Sequence, residues 1–430
     1  MTLSKSLVPV KKKFSNGLTV VFLHTPTDPV SACHLFLPAG AGHESDKLSG
    51  VGTLMWALIT KGTARVDSRR FAEEVESIGA SVSAGATHDY SEISAHAIDD
   101  YFPRTLELMA EALFQPSFVE EELTKERTAL VAAIRSKRES IFTVANEELN
   151  RRLYGKHPYG RPAPGNETTV AALKRDDIVK WHRSVVAPEG AVLAMATSKP
   201  ASQMIPLIEK LFGPKAWKRS AAKGLIRMAK TASAVKSQRA VLTERFEQAY
   251  LLVGYPAPAV ATKDYLALKV LNSVLGGGMS ARLFQQLREQ QGLAYDVGSF
   301  YASKQHGSAF VAYMGLQRDK LERAKEGILA AFHDVVTKPV PIDELEQTKA
   351  YLKGTYILDH QTNSQRAHYI GWWEALGLGF GYDGKYVAGM NAVTAARVQA
   401  AAKSVMGKPP VIVEIHPGKK PSTNGAGTGA

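Results

Sequence analysis

The chain follows one layout twice, once on each side of a basic stretch, and that repetition restricts the folds open to it. Each half opens with a β-rich apolar segment, G-L-T-V-V-F-L at 17–23 and A-Y-L-L-V-G-Y at 249–255. An apolar helical segment follows, through 50–58 in the first half and 265–275 in the second. Alternating strands come next, S-V-S-A-G-A-T-H-D-Y-S-E-I-S-A-H-A and later A-Y-D-V-G-S-F-Y-A-S-K-Q-H-G-S-A-F-V-A-Y-M. Both halves then carry an amphipathic helix. One has Leu106, Met109 and Leu113 on a stripe behind the capping candidates Asp99 and Asp100; the other has Leu321, Ala324, Ile328, Leu329 and Phe332. Each half continues into a charged helical region and closes on an apolar strand, A-V-L-A-M-A or P-V-I-V-E-I-H. The stripes are core faces and carry no chemistry. Their matching order predicts an α+β fold of two tandem homologous domains, each a mostly antiparallel sheet with helices packed on one face.

A length of 430 residues exceeds one compact core and suits two domains of roughly 200 residues. The expected divisions are 1–213, a basic linker at 214–240, a second domain at 241–417 and a disordered tail at 418–430. Eight basic residues and no acidic one fall within 215–239, so most of the net charge of +12 belongs to that stretch. It reads as a solvated linker, with docking onto an acidic partner face as the alternative. Nucleic-acid binding is not expected, because no base-reading motif accompanies the charge. No apolar run approaches the ~20 residues that span a bilayer. The start M-T-L-S-K-S-L-V-P-V-K-K-K lacks the apolar core of a signal peptide, which points to the cytoplasm. A periplasmic or organellar mature form stays open. The one cysteine, Cys33, excludes an internal disulfide and reads as a buried thiol in a strand.

The usual carriers of hydrolytic chemistry are missing. Of twelve histidines, no two stand three or four residues apart, so no helix turn presents a His pair to a metal. A site assembled from distant histidines stays open. There is no G-x-S-x-G and no G-x-x-x-x-G-K-[ST]. The run Gly276–Gly278 lacks a following Lys-Ser/Thr and reads as a turn between two helices.

The segment S-G-V-G-T-L-M-W-A-L-I-T-K-G-T at 49–63 has the frame of an inverted zinc-peptidase helix, G-[apolar]-[small]-H-x-x-E-H-[apolar]-x-x-K-G-T. Around it stand G-H-E-S-D-K-L-S-G, E-S-I-G-A-S-V-S-A-G-A-T-H-D-Y, H-P-Y-G at 157–160 and L-G-G-G-M-S-A-R-L-F-Q-Q-L-R-E-Q-Q-G-L-A-Y at 275–295. Together these make the chain, over residues 10 to 417, resemble the pitrilysin/insulinase family of zinc peptidases, in the branch that includes processing peptidases. The departures decide what the resemblance implies. Thr53, Trp56 and Ala57 stand where the family has His, Glu and His, and Ala133 replaces the third ligand in E-R-T-A-L-V-A-A-I. A hydroxyl is a poor zinc ligand, and indole and methyl groups are none. The chain is therefore expected to hold no metal and no cofactor of its own and to have no peptidase activity alone. Trp56 is expected to fill the vacated pocket.

What the resemblance retains is Arg288 and Tyr295. It implies that this arginine and tyrosine reach across a chamber and hydrogen-bond substrate carbonyls, completing a partner's active site in trans. The bland alternative is a surface arginine at a helix end and a tyrosine packed at a strand start. Ser83 and Ala84 lie on the strand whose family counterpart binds extended peptide as an added strand. Ser83 replaces the family's Asn there. Arg282 suits a structural ion pair as well as a substrate contact. The expected function is that of a non-catalytic, substrate-binding subunit forming half of a clamshell. Its partners would be a homologous chain with His-x-x-Glu-His, which carries the zinc, and an extended or unfolded peptide. Two rivals stay open: a structural core-type subunit without cleavage, and a homodimeric peptide-binding protein without a peptidase partner.

Overall fold

A computed structural model describes residues 8–218, 225–231 and 236–418. The tail at 419–430 and parts of the linker, 219–224 and 232–235, lie outside the described residues. Two sheets organise the rest. The first contains β1 (Val10–Lys13), β2 (Thr19–His24), β3 (Val30–Leu37), β4 (Ser81–Ala86), β5 (Ser91–Ile98) and β6 (Val192–Thr197) in the order β1-β2-β6-β3-β5-β4. The second contains β7 (Gln238–Glu244), β8 (Ala249–Ala257), β9 (Ala294–Tyr301), β10 (Ser308–Leu316) and β11 (Val411–Pro417) in the order β7-β11-β8-β10-β9.

The duplication is therefore literal. β2-β6-β3-β5-β4 and β7-β11-β8-β10-β9 are the same path. In each, the first strand pairs parallel with the last, and every other neighbour in the path is antiparallel. This corrects the register of the repeat read from sequence. The segment 249–257 matches β3, and the true counterpart of β2 is β7, whose alternating exposure hid it inside the basic stretch. β7 starts at Gln238, ahead of the expected boundary at 241.

Within each half the helices cover one sheet face. Leu106, Met109 and Leu113 are fully buried in the first core, and Leu321, Ala324, Ile328 and Phe332 in the second. Asp99 and Asp100 do not cap the helix Phe102–Phe114, whose N-cap is Tyr101. The Asp99 carboxylate instead accepts the hydroxyls of Ser31 and Ser198. Cys33 is buried beside Met109, and burial pushes its thiol up to about 12.

The opposite face of each sheet is covered by a helix from the other half. The helix Ile141–Tyr154 lays Ala145, Leu149 and Leu153 on Leu252, Val411, Val413 and Ile415 of the second sheet. The helix Asn363–Ala375 lays Ala367 and Ile370 on Val21, Phe36, Val192 and Ala194 of the first. Polar ties pin both: Asn363 Nδ2 donates to Thr25 Oγ1 at 2.8 Å, and Arg152 donates to Gln238 at 3.2 Å. The described part of the linker is likewise held down rather than free in solvent. Ile226 N donates to His43 O, Thr231 N donates to His306 O, and Met228 is buried. Arg239 pairs with Glu414 and Glu322.

Candidate functional site

The helix Val51–Leu58 starts at Gly50, whose φ of +95° only glycine adopts readily; a Cβ there would also lie 2.5 Å from the Pro164 carbonyl oxygen. The free N–H groups of its first turn are taken by Glu44. Its two carboxylate oxygens accept from Gly50 N at 2.8 Å and Gly52 N at 2.9 Å. Burial pushes the Glu44 carboxyl up to about 7 against those two hydrogen bonds and the positive charge of Arg161. Within G-H-E-S-D-K-L-S-G the sequence signal for this role is an acidic residue six positions before the helix-starting glycine, and no periodicity points to it.

The metal positions of this helix do not fit zinc. The Thr53 hydroxyl donates to the Ala163 carbonyl at 3.3 Å, tying the helix to the loop after H-P-Y-G. Trp56 is 2% exposed and sits in the first core, as expected of a pocket filler, with its Nε1 unpartnered among the described residues. Ala57 offers a methyl group. Ala133 lies exposed on the helix Glu120–Lys137, which packs against Val51–Leu58. Among the described residues, no group of His, Cys, Asp or Glu poised to hold a metal includes any of these four positions. A hydroxyl is a poor zinc ligand, and an indole and two methyl groups are none.

Ser83 and Ala84 lie on β4, the edge strand of the first sheet, which contacts the helix Val51–Leu58. Ser83 Oγ is 3.0 Å from Ser94 Oγ, and among the described residues the outer edge of β4 has no strand partner. Beside it runs an open groove of about 340 Å3 lined by residues 83–87 with Tyr90, Glu92 and Ser94.

Arg288 and Tyr295 lie on the equivalent edge of the second sheet, and both are carried by irregular backbone. Arg288 belongs to the π-helical turn Phe284–Glu289, anchored by buried Leu287. Its guanidinium stacks on Phe284, with Cζ 4.8 Å from the ring centroid, and comes no closer than 4.0 Å to the Glu289 carboxylate. Tyr295 is a bulge in the edge strand β9, because Leu316 pairs with Ala294 and Gly315 with Asp296. It is 53% exposed, and its phenol has no hydrogen-bond partner among the described residues. The two pairs, Ser83 with Ala84 and Arg288 with Tyr295, lie on different sheet edges, and no hydrogen bond among the described residues joins them. Arg282 makes the structural ion pair: its Nε and Nη2 donate to the two Glu344 oxygens at 2.8 and 2.6 Å, and its Nη1 donates to Asp334 at 2.7 Å. The glycine run ends the helix Tyr265–Gly276, where a Cβ on Gly276 would sit 2.1 Å from Ser299 N. Close packing of helix on strand accounts for that glycine.

Comparison with known proteins bears on the family and the fold. The family model described as "Insulinase (Peptidase family M16)" matches residues 19–166, and "Peptidase M16 inactive domain" matches residues 172–352. An uncharacterized zinc protease of Bacillus subtilis is 27% identical over 408 residues, covering 95% of this chain and 98% of that protein. One from Streptomyces coelicolor is 25% identical, covering 93% and 88%. The fold is that of a peptidase M16 inactive domain from Pseudomonas fluorescens, with TM-score 0.89 and 23% identity over 96% of this chain and 100% of that one. A protease from Helicobacter pylori has the same TM-score and coverage at 20% identity.

Proposed function

The chain belongs to the insulinase family of peptidases, family M16, and from that membership we propose that it is a non-catalytic, substrate-clamping subunit of a heteromeric zinc endopeptidase. The observation that carries the reading is the pairing of two facts. The metal positions Thr53, Trp56, Ala57 and Ala133 carry no side chain suited to zinc, while Arg288 and Tyr295 stand exposed on a π-helical turn and a β-bulge, with no side-chain hydrogen bond among the described residues. Irregular backbone at a sheet edge is a common way to re-aim a side chain at a ligand.

In this proposal the chain is one half of a clamshell, and a homologous chain with intact His-x-x-Glu-His is the other. That partner brings the zinc and the general base. The Arg288 guanidinium and the Tyr295 hydroxyl donate hydrogen bonds to carbonyl oxygens of the bound peptide, holding it in register and opposing negative charge that develops on oxygen. The outer edge of β4, with Ser83 and Ala84 and without a strand partner among the described residues, offers its backbone groups to an extended peptide as an added strand.

Arg288→Ala and Tyr295→Phe in the mixed complex should each lower kcat/KM for peptide cleavage by about 10- to 100-fold, the worth of one charge-assisted hydrogen bond. Assembly, followed by gel filtration, should not change. Unaltered cleavage in both variants would refute the clamp. A stable complex that never cleaves peptide would support the structural-subunit reading, and a self-sufficient dimer that binds peptide would support the homodimeric one.

A further inference from the structure

On the sheet face that receives the exchanged helix, three side chains from three elements converge. His34 is on β3, Glu92 on the neighbouring β5, and His368 on the helix Asn363–Ala375 of the other half. The strand register places His34 opposite Ser94 and Phe36 opposite Glu92, so His34 and Glu92 are diagonal neighbours on one face. One ring nitrogen of each histidine and one Glu92 oxygen lie within 4.8 Å of one another. Both Nδ1 atoms aim at the same oxygen: His34 Nδ1 contacts Glu92 Oε1, and His368 Nδ1 lies 3.0 Å from it.

From this convergence we propose that His34, Glu92 and His368 form a binding site for one divalent transition-metal ion, separate from the degenerate zinc helix and shared between the two halves.

The donor set of two imidazoles and a carboxylate suits zinc and its neighbours in the first transition row. The outer shell is in place as well. His34 Nε2 lies 3.0 Å from the Ser364 hydroxyl, one helical turn from His368, so His34 can keep its Nε2 proton on Ser364 and turn the Nδ1 lone pair toward an ion. Phe36 and Trp372 pack against the His368 ring, at centroid distances of 5.5 and 6.4 Å, and limit its rotation. The site is not closed. The His34 side chain is 9% exposed, whereas Glu92 and His368 are 22% and 32% exposed. Glu92 also lines the groove along β4, so a fourth coordination position would face that groove. Three protein ligands with one position open to a water or a ligand atom is a familiar zinc arrangement. Because the ligands lie 334 residues apart in the chain, no spacing motif could have shown them.

The metal-free alternative is a hydrogen-bonded triad in which both Nδ1–H groups donate to Glu92. Zinc titration separates the two. The full chain, stripped with a chelator and dialysed, should bind one equivalent of Zn2+ and gain several degrees in Tm at saturating metal. Glu92→Gln and His368→Ala should each weaken binding more than about 100-fold, beyond the roughly 10- to 100-fold that loss of an outer-shell group costs. His96→Ala, two residues beyond Ser94 on the same strand face, should bind as the unaltered chain does. Co2+ in place of Zn2+ should give a visible absorption band that His368→Ala removes. Absence of saturable one-to-one binding, or binding indifferent to both ligand variants, overturns the proposal. Metal at this site leaves the isolated chain without peptidase activity. Cleavage by the zinc-loaded isolated chain would count against the clamp reading and not against this one.

Discussion

Glu44 shows how much one side chain settles at the start of the degenerate helix. It is 1% exposed and bonds two N–H groups at the helix N-terminus, yet burial dominates and holds its carboxyl near 7. The consequence for stability has a definite sign. In the unfolded chain the group ionises near its ordinary value of 4.5, while the folded chain keeps the proton until about 7. Between these values the folded state binds more protons, so stability falls as pH rises through that window. Denaturant unfolding from pH 4.5 to 8 should show this decline, and Glu44→Gln should flatten it. A variant profile parallel to that of the unaltered chain would mean that the carboxylate is well solvated or fully offset by the helix end. Trp56 makes the complementary point. A residue of great volume at the place of the motif's glutamate turns a polar position into core. That loss was legible in the sequence because both the frame and the replacement are local. The role of Glu44 was not, since it depends on a loop folding back over a helix end.

At the scale of elements, the helices Ile141–Tyr154 and Asn363–Ala375 matter most, and neither stood out in the sequence. The pattern of the first is diluted by Asn146, Glu147, Glu148 and two arginines, because only one narrow stripe meets the second sheet. The helix Asn363–Ala375 is hidden by its aromatic and histidine content. Their partners lie in the opposite half, a relation that no periodicity encodes. The strands and amphipathic helices of each half, by contrast, could be read from alternation and stripe, since the face that meets the core of their own half is set locally. The misassigned β7 is the instructive exception: its exposed Arg239 and alternating burial gave it the look of linker. Leu149 is fully buried among residues of the second sheet. Leu149→Ala should cost about 2–5 kcal/mol. Hydrogen exchange should report the loss in β8 and β11 as well as in the helix itself. Protection lost only in the first half would contradict the packing described.

For the whole molecule, the reciprocal placement of helices makes the two halves interdependent. Each sheet buries one face against its own helices and the other against a borrowed one. Further ties cross between the halves, such as Gln305 N to Asp89 at 3.1 Å and His306 N to the Tyr159 hydroxyl at 3.3 Å. Chemical denaturation should therefore give one cooperative transition, coincident by tryptophan fluorescence and circular dichroism. Two separated transitions, or a soluble folded fragment ending near residue 213, would show that the halves are independent after all. Among the described residues no helix is long and apolar enough to cross a membrane.

A body braced in this way cannot gape along its own middle. If a polypeptide enters as the proposed clamp requires, its doorway lies outside that brace, at the seam with the proposed second subunit, and its width would depend on how the two bodies rock against each other.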